Sequence, residues 1–158
     1  MSKRAAKLAA APPPKGEAPA VAAYRLEEQV GHLLRRAHQR HAAIFQDGIG
    51  DLQLTPMQFA ALVKICDLGR VSQNQLGRLT AMDPATTQGV IQRLVARGLI
   101  ERTADPDDRR MTVLRLTAHG RATVEAAIVR AVEITAATLA PLTDSERPVF
   151  LALLRKLI

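Results

Sequence analysis

The segment DPDDRRMTVLRLT, Asp105 to Thr117, sets Asp108, Arg109 and Arg110 between turn-forming residues and a β-prone run. A guanidinium carries a permanent charge and a planar fork of donors. Paired arginines at a hairpin tip therefore either solvate the turn or address an anion. A second group lies on the first helical segment, where Arg36, His38, Arg40 and His41 stand within two turns. A buried imidazole needs a hydrogen-bond partner. That partner is backbone or a carboxylate within the fold, or else a polar group of a bound ligand. Arg36 or Arg40 would then neutralise a ligand carboxylate through a bidentate pair. A His-x-x-His metal pair is the third reading, but no further Cys or His cluster accompanies it, and no metal site is assigned. The single cysteine, Cys66, follows Val63 by three residues and reads as core. The chain carries no phosphate loop, nucleophile elbow or suitably spaced carboxylate pair, which points away from an enzyme and from any cofactor.

These residues need a scaffold, and composition limits its kind. A chain of 158 residues is one compact domain or two small lobes. With 47% hydrophobic but only 3% aromatic residues, the core must come from Ala, Leu, Val and Ile, which favours closely packed helices. The net charge of +7 suggests a polyanionic partner, nucleic acid before membrane. One cysteine means no internal disulfide framework, and no apolar run is long enough to span a bilayer, so a cytoplasmic protein is expected. Residues 1–23 read as a flexible basic tail, because Pro12, Pro13 and Pro14 interrupt any signal-peptide core.

From Tyr24 onward helical patterns take over. Val30, Leu34, Ala37, His41, Ile44 and Phe45 form a stripe at three- and four-residue spacing, with Gly48 and Gly50 as stops. Thr55-Pro56-Met57-Gln58 predicts a capping box opening a helix that buries Phe59, Leu62, Val63 and Cys66. Ser72 to Gln75 opens a short helix with Leu76 and Leu79 inward. After a turn, Asp83-Pro84 opens another that buries Thr87, Val90, Ile91, Leu94 and Val95 and stops at Gly98. Two β-prone runs, Leu99 to Thr103 and Met111 to Leu116, predict a hairpin. Thr117 caps a long helix with Val124, Ala127, Ile128, Ala131, Thr135 and Leu139 on one side. Thr143 caps a last helix carrying Phe150, Leu153, Leu154 and Leu157. The fold expected is mainly α with a small β-hairpin wing: a winged helix-turn-helix lobe over residues 55–117, and a helical dimerisation region over residues 24–54 and 118–158. The long amphipathic end helices expose more apolar surface than a small lobe covers, so a two-fold homodimer is expected.

At this point the residues resemble a known family. Asp108-Arg109-Arg110 followed by Met-Thr-Val-Leu-Arg-Leu116-Thr117 resembles the wing signature of MarR-type bacterial transcription regulators. The run RLVARGLIERTADPDDRRMTVLRLTAHGR matches that family almost continuously, and Leu54 to Gln58 repeats its Leu-Thr-Pro-x-Gln. The resemblance spans about residues 24–158. It implies a homodimeric repressor that binds a double-stranded DNA operator and loses affinity when a small aromatic acid, typically a carboxylate, binds between the dimerisation helices and the DNA-binding lobe.

The resemblance also distributes roles. On the helix after Asp83, Ala85, Thr86, Gln88, Gly89, Gln92 and Arg93 would face the major groove, where Gln pairs bidentately with adenine. Family members often carry Thr-Arg where this chain has Gln88-Gly89, which moves base reading to Gln88 and Gln92. Ser72, Gln73, Arg78 and Arg97 are phosphate contacts by position. Arg110 matches the family arginine that enters the minor groove, with Asp108 orienting its guanidinium and Arg109 on phosphate or sharing that role. The effector would be held by Arg36, His38, Arg40 and His41. Two other classes compete: a constitutive architectural DNA binder without ligand response, and a winged helix used for protein interaction.

Overall fold

The computed structural model describes residues 24–108, 110 and 112–158; the basic tail, Arg109 and Met111 lie outside the described residues. The chain divides into two units, one ending at Ala37 and the other running from His38 to Ile158. Within the first, a 3₁₀ turn at Leu26–Glu28 precedes helix α1, Val30–Ile49. Tyr24, Leu26, Val30, Leu33 and Leu34 are all exposed in the single chain.

The second unit holds the rest of α1 and then α2 (Pro56–Leu68), β1 (Val71–Ser72), α3 (Gln73–Leu79), α4 (Pro84–Ala96), β2 (Ile100–Ala104), β3 (Thr112–Leu116), α5 (Ala118–Leu139) and α6 (Glu146–Arg155). The capping box of α2 forms in both directions, Gln58 N–H donating to Thr55 Oγ1 at 3.2 Å and Thr55 N–H to Gln58 Oε1 at 2.9 Å. Ser72 caps α3 and Thr117 caps α5 through their hydroxyls. The sheet has three antiparallel strands in the order β1-β3-β2, with Val71 opposite Leu114 and Arg102 on the other side of the same residue. The hairpin is therefore stitched along its second strand to the segment that opens α3.

One apolar core joins these elements apart from α6, which buries no residue. Ile49, Leu54, Leu62, Ile65, Leu76, Ile91, Leu94, Leu99, Ile100 and Val124 are fully buried within it. Each such side chain contributes about 1.5–3 kcal/mol on leaving water. Phe45 and Phe59 meet at 5.8 Å with rings inclined by 55°, a tilted contact favoured by their quadrupoles.

Several expectations need correction. Gly48 does not stop α1 but lies inside it. A Cβ there would come within 2.5 Å of Ile134 Cγ1, so the glycine makes room for a residue of α5. The buried stripe of α5 consequently runs through Thr123, Val124, Ala127 and Ile134, while Ile128 and Thr135 are exposed. Leu79 and Val95 are exposed because each sits in the last turn of its helix, past the edge of the core. The first hairpin strand begins and ends one residue later than expected, and the second ends at Leu116 as expected. At α6, Thr143 does not cap forward: its N–H and hydroxyl both donate to Glu146 Oε2 at 2.8 Å, which holds that carboxyl below the usual glutamate range.

Candidate nucleic-acid interface

Helix α4 starts where Pro84 follows Asp83, and proline both fixes the entry φ and keeps the residue before it extended. Asp83 Oδ1 accepts the Thr86 N–H at 2.9 Å and Oδ2 accepts the Thr86 hydroxyl at 2.5 Å. These hydrogen bonds favour the charged form and lower the Asp83 pKa from the usual aspartate value. Thr87 is 1% exposed and donates its hydroxyl to the Asp83 carbonyl at 2.8 Å, so the polar group is satisfied inside the core. With Thr87, Val90, Ile91 and Leu94 inward, helical geometry turns Ala85, Gln88, Gln92 and Arg93 to solvent.

Two of the expected reading residues are modified by local contacts. The Thr86 hydroxyl is committed to the cap. Gly89 is half-buried, and the Arg93 guanidinium lies 3.4 Å from where its Cβ would stand, so Arg93 covers the bare backbone at that point. Gln73 and Arg78 of α3 border a cavity of about 430 Å³ shared with Pro84 and Thr87 of α4. Ser72 Oγ accepts the Gln75 N–H at 3.3 Å, which makes Ser72 a cap first.

The wing is built from consecutive Asx turns. Asp105 Oδ1 accepts the Asp107 N–H at 2.9 Å, and Asp108 Oδ1 accepts the Arg110 N–H at 3.0 Å. Asp108 thus braces Arg110 through the main chain. Arg110 is exposed beyond this turn. Arg70, just before β1, pairs with Asp105 at 3.5 Å and with Asp107, tying the hairpin loop to the end of α2. Both aspartates raise the Arg70 pKa, Asp107 by hydrogen bond and charge and Asp105 by charge. Nothing local in the sequence marks Arg70, since its partners lie more than thirty positions away.

Arg97 is exposed but engaged, donating to the Leu52 carbonyl at 2.8 Å and the Gln53 carbonyl at 2.9 Å. Arg40 behaves alike on α5, donating to the carbonyls of Thr138 at 2.7 Å and Ala137 at 3.1 Å. His41 Nδ1 lies 3.0 Å from Thr138 Oγ1, whose one proton goes to the Ile134 carbonyl at 2.8 Å. A histidine that donates at Nδ1 fits this arrangement. Its partner is neither the backbone nor a carboxylate but a threonine hydroxyl. Arg36 and His38 are exposed. An open groove of about 430 Å³, lined by Phe59 and Val63 of α2 and by Ile128, Ala131, Val132 and Thr135 of α5, was not apparent from the sequence.

The geometry is that of a winged helix-turn-helix, and comparison with known proteins agrees. The MarR family model matches residues 52–111. The repressor NicR of Pseudomonas putida is 46% identical over 135 residues, covering 85% of each chain. The chain belongs to the MarR family. Two solved structures extend the likeness beyond the winged lobe of this MarR-family regulator. A "probable transcriptional regulator" from Pseudomonas aeruginosa superposes with a TM-score of 0.80 at 51% identity, covering 85% of this chain and 100% of the other. BpsR of Bordetella bronchiseptica, whose DNA binding is regulated by 6-hydroxynicotinic acid, superposes with a TM-score of 0.79 at 48% identity, covering 85% and 96%.

Proposed function

We propose that this MarR-family regulator is a homodimeric repressor of a pseudo-palindromic operator, released by a small hydroxylated aromatic carboxylate of the 6-hydroxynicotinic acid type. The observation that carries the DNA reading is the pairing of two exposed elements on one lobe. The α4 face bearing Ala85, Gln88 and Gln92 is set by a rigid cap, and Arg110 stands on a braced wing. Gln88 and Gln92 read adenine edges in the major groove and Arg110 enters the neighbouring minor groove. Gln73, Arg78 and Arg93 contact phosphate and hold the lobe in register. Arg109, by its position beside Arg110, would share the phosphate role.

The dimer is supported by apolar side chains that one chain leaves in water, among them Val129, Val132, Val149, Phe150, Leu153 and Leu157. A two-fold pair would present two recognition helices to half-sites about one helical turn apart. The effector reading is supported by the similarity to NicR and BpsR. The groove beside Phe59 and Val63 offers an apolar wall for an aromatic ring.

The test is fluorescence anisotropy of DNA from the chain's own upstream region, with unrelated DNA as competitor and 6-hydroxynicotinate as additive. Preference for the upstream DNA of about 10³-fold or more, with release by the ligand, is expected. Equal affinity for both DNAs would overturn operator recognition in favour of an architectural role, and indifference to the ligand would overturn the effector class.

A further inference from the structure

The five residues from Ile49 to Gln53 join the helical frame to the winged lobe, and two arginines from distant parts of the chain grip them from different elements. The end of an α-helix leaves its last carbonyls without intrahelical donors. Here Arg130 of α5 donates to the Ile49 carbonyl and pairs with Asp51 at 2.6 Å. Arg97, immediately after α4, spans two adjacent acceptors further along, the carbonyls of Leu52 and Gln53. Between them the 3₁₀ turn Gly50–Leu52 ends at Gln53, which adopts φ +48° and ψ +43°. A residue with a Cβ enters that left-handed region at a cost, and it stays there only where its surroundings hold it. Leu54, the next residue, is fully buried, and Thr55 opens the capping box of α2.

We propose that Arg97 is a positioning residue, fixing the C-terminal end of the recognition helix to the 49–53 linker, and that the linker, held on α5 by Arg130, transmits displacements of α5 to that helix. This rests on the DNA-binding reading above and replaces the phosphate role expected of Arg97. Its chemistry distinguishes the two roles. A phosphate contact needs positive charge, which lysine also supplies. Two adjacent carbonyls need the planar fork of arginine, which lysine lacks.

The experiment measures operator affinity and its salt slope for wild type, R97A, R97K, R130K and the R97K/R130K double variant, with thermal melts giving the folded fraction. R97A and R97K should lose affinity alike, by about 3- to 30-fold. Their slopes of log K against log salt should match wild type, and the double variant should lose no more than the worse single variant, because a released linker is released once. If R97K instead binds like wild type while R97A loses about 0.9 of salt slope, Arg97 contacts phosphate and the proposal falls. Unchanged affinity in both Arg97 variants, losses that multiply in the double variant, or losses that vanish after correction for folded fraction would also overturn it. Should R97A not fold, R97K keeps the stem and the charge and still separates the two roles. A wild-type chain that binds no DNA would instead remove the underlying functional reading.

Discussion

Asp108 holds Arg110 by its backbone: the carboxylate accepts the Arg110 N–H at 3.0 Å and leaves the guanidinium outside the turn. The guanidinium proposed to address DNA and the bond that holds its backbone are therefore separable. Arg110→Ala should reduce operator affinity by about 1–3 kcal/mol and the salt slope by about 0.9, with an unchanged melting temperature. Asp108→Asn, which retains an acceptor oxygen, should bind nearly as wild type, whereas Asp108→Ala should lose about 1 kcal/mol. Anisotropy titrations at several salt concentrations read all three.

Arg70 anchors the wing loop through Asp105 and Asp107; Arg70 is partly exposed and Asp107 largely so, while Asp105 is mostly covered. Solvent-exposed pairs of this kind contribute little to global stability. Arg70→Ala should therefore leave the thermal melt nearly unchanged while raising hydrogen–deuterium exchange in residues 104–110 and weakening operator binding. A melt lowered by many degrees with unaltered wing exchange would contradict this.

Gly120 lies where α5 meets the start of the hairpin. A Cβ at this position would fall 1.8 Å from the Leu99 carbonyl oxygen, which also accepts the Thr117 N–H at 3.1 Å. Backbone cannot step aside as a flexible side chain does. Gly120→Ala should destabilise the fold by about 3 kcal/mol or more, read as a lowered midpoint in urea unfolding.

Asp83, Asp51 and Glu146 all have carboxyl groups held below their usual values, by Thr86, Arg130 and Thr143 respectively. A carboxylate more acidic in the folded state contributes stability above its unfolded pKa and loses it as pH falls through the lowered folded value. The melting temperature should thus fall on acidification below about pH 4, where the unfolded chain takes up protons first. Asp83→Asn keeps an oxygen for the cap but removes one titrating group, so its melting temperature should decline less steeply between pH 6 and pH 3. An identical decline would show that the Asp83 cap does not contribute to acid sensitivity.

The elements that announce themselves locally were legible in the sequence. Thr55 with Gln58, Asp83 with Pro84, and Thr117 each place a helix start within three residues, and each cap is present. Four inward positions on α4 follow from a period of 3.6, and so does the outward face that carries Gln88 and Gln92. Strand β1 was missed because two residues cannot display alternation, and only pairing with Leu114 and Val113 makes Val71 and Ser72 a strand. The partners of the arginines were not legible for a different reason. Arg40, Arg70, Arg97 and Arg130 reach carbonyls and carboxylates between 35 and 98 positions away, so composition shows their charge but not their partners. Ile134 displaced Thr135 from the core because Gly48, one helix away, leaves a space that no pattern within α5 records.

The Arg70 bridge alters what a salt titration of this regulator counts. Added ions screen exposed charge pairs within the protein as they displace the protein from phosphate. As salt rises, the latch on Asp105 and Asp107 weakens along with the contacts it supports, so the apparent number of ions released exceeds the number of phosphates touched. Cutting the latch with Arg70→Ala should make the slope shallower without removing a single residue that faces the DNA.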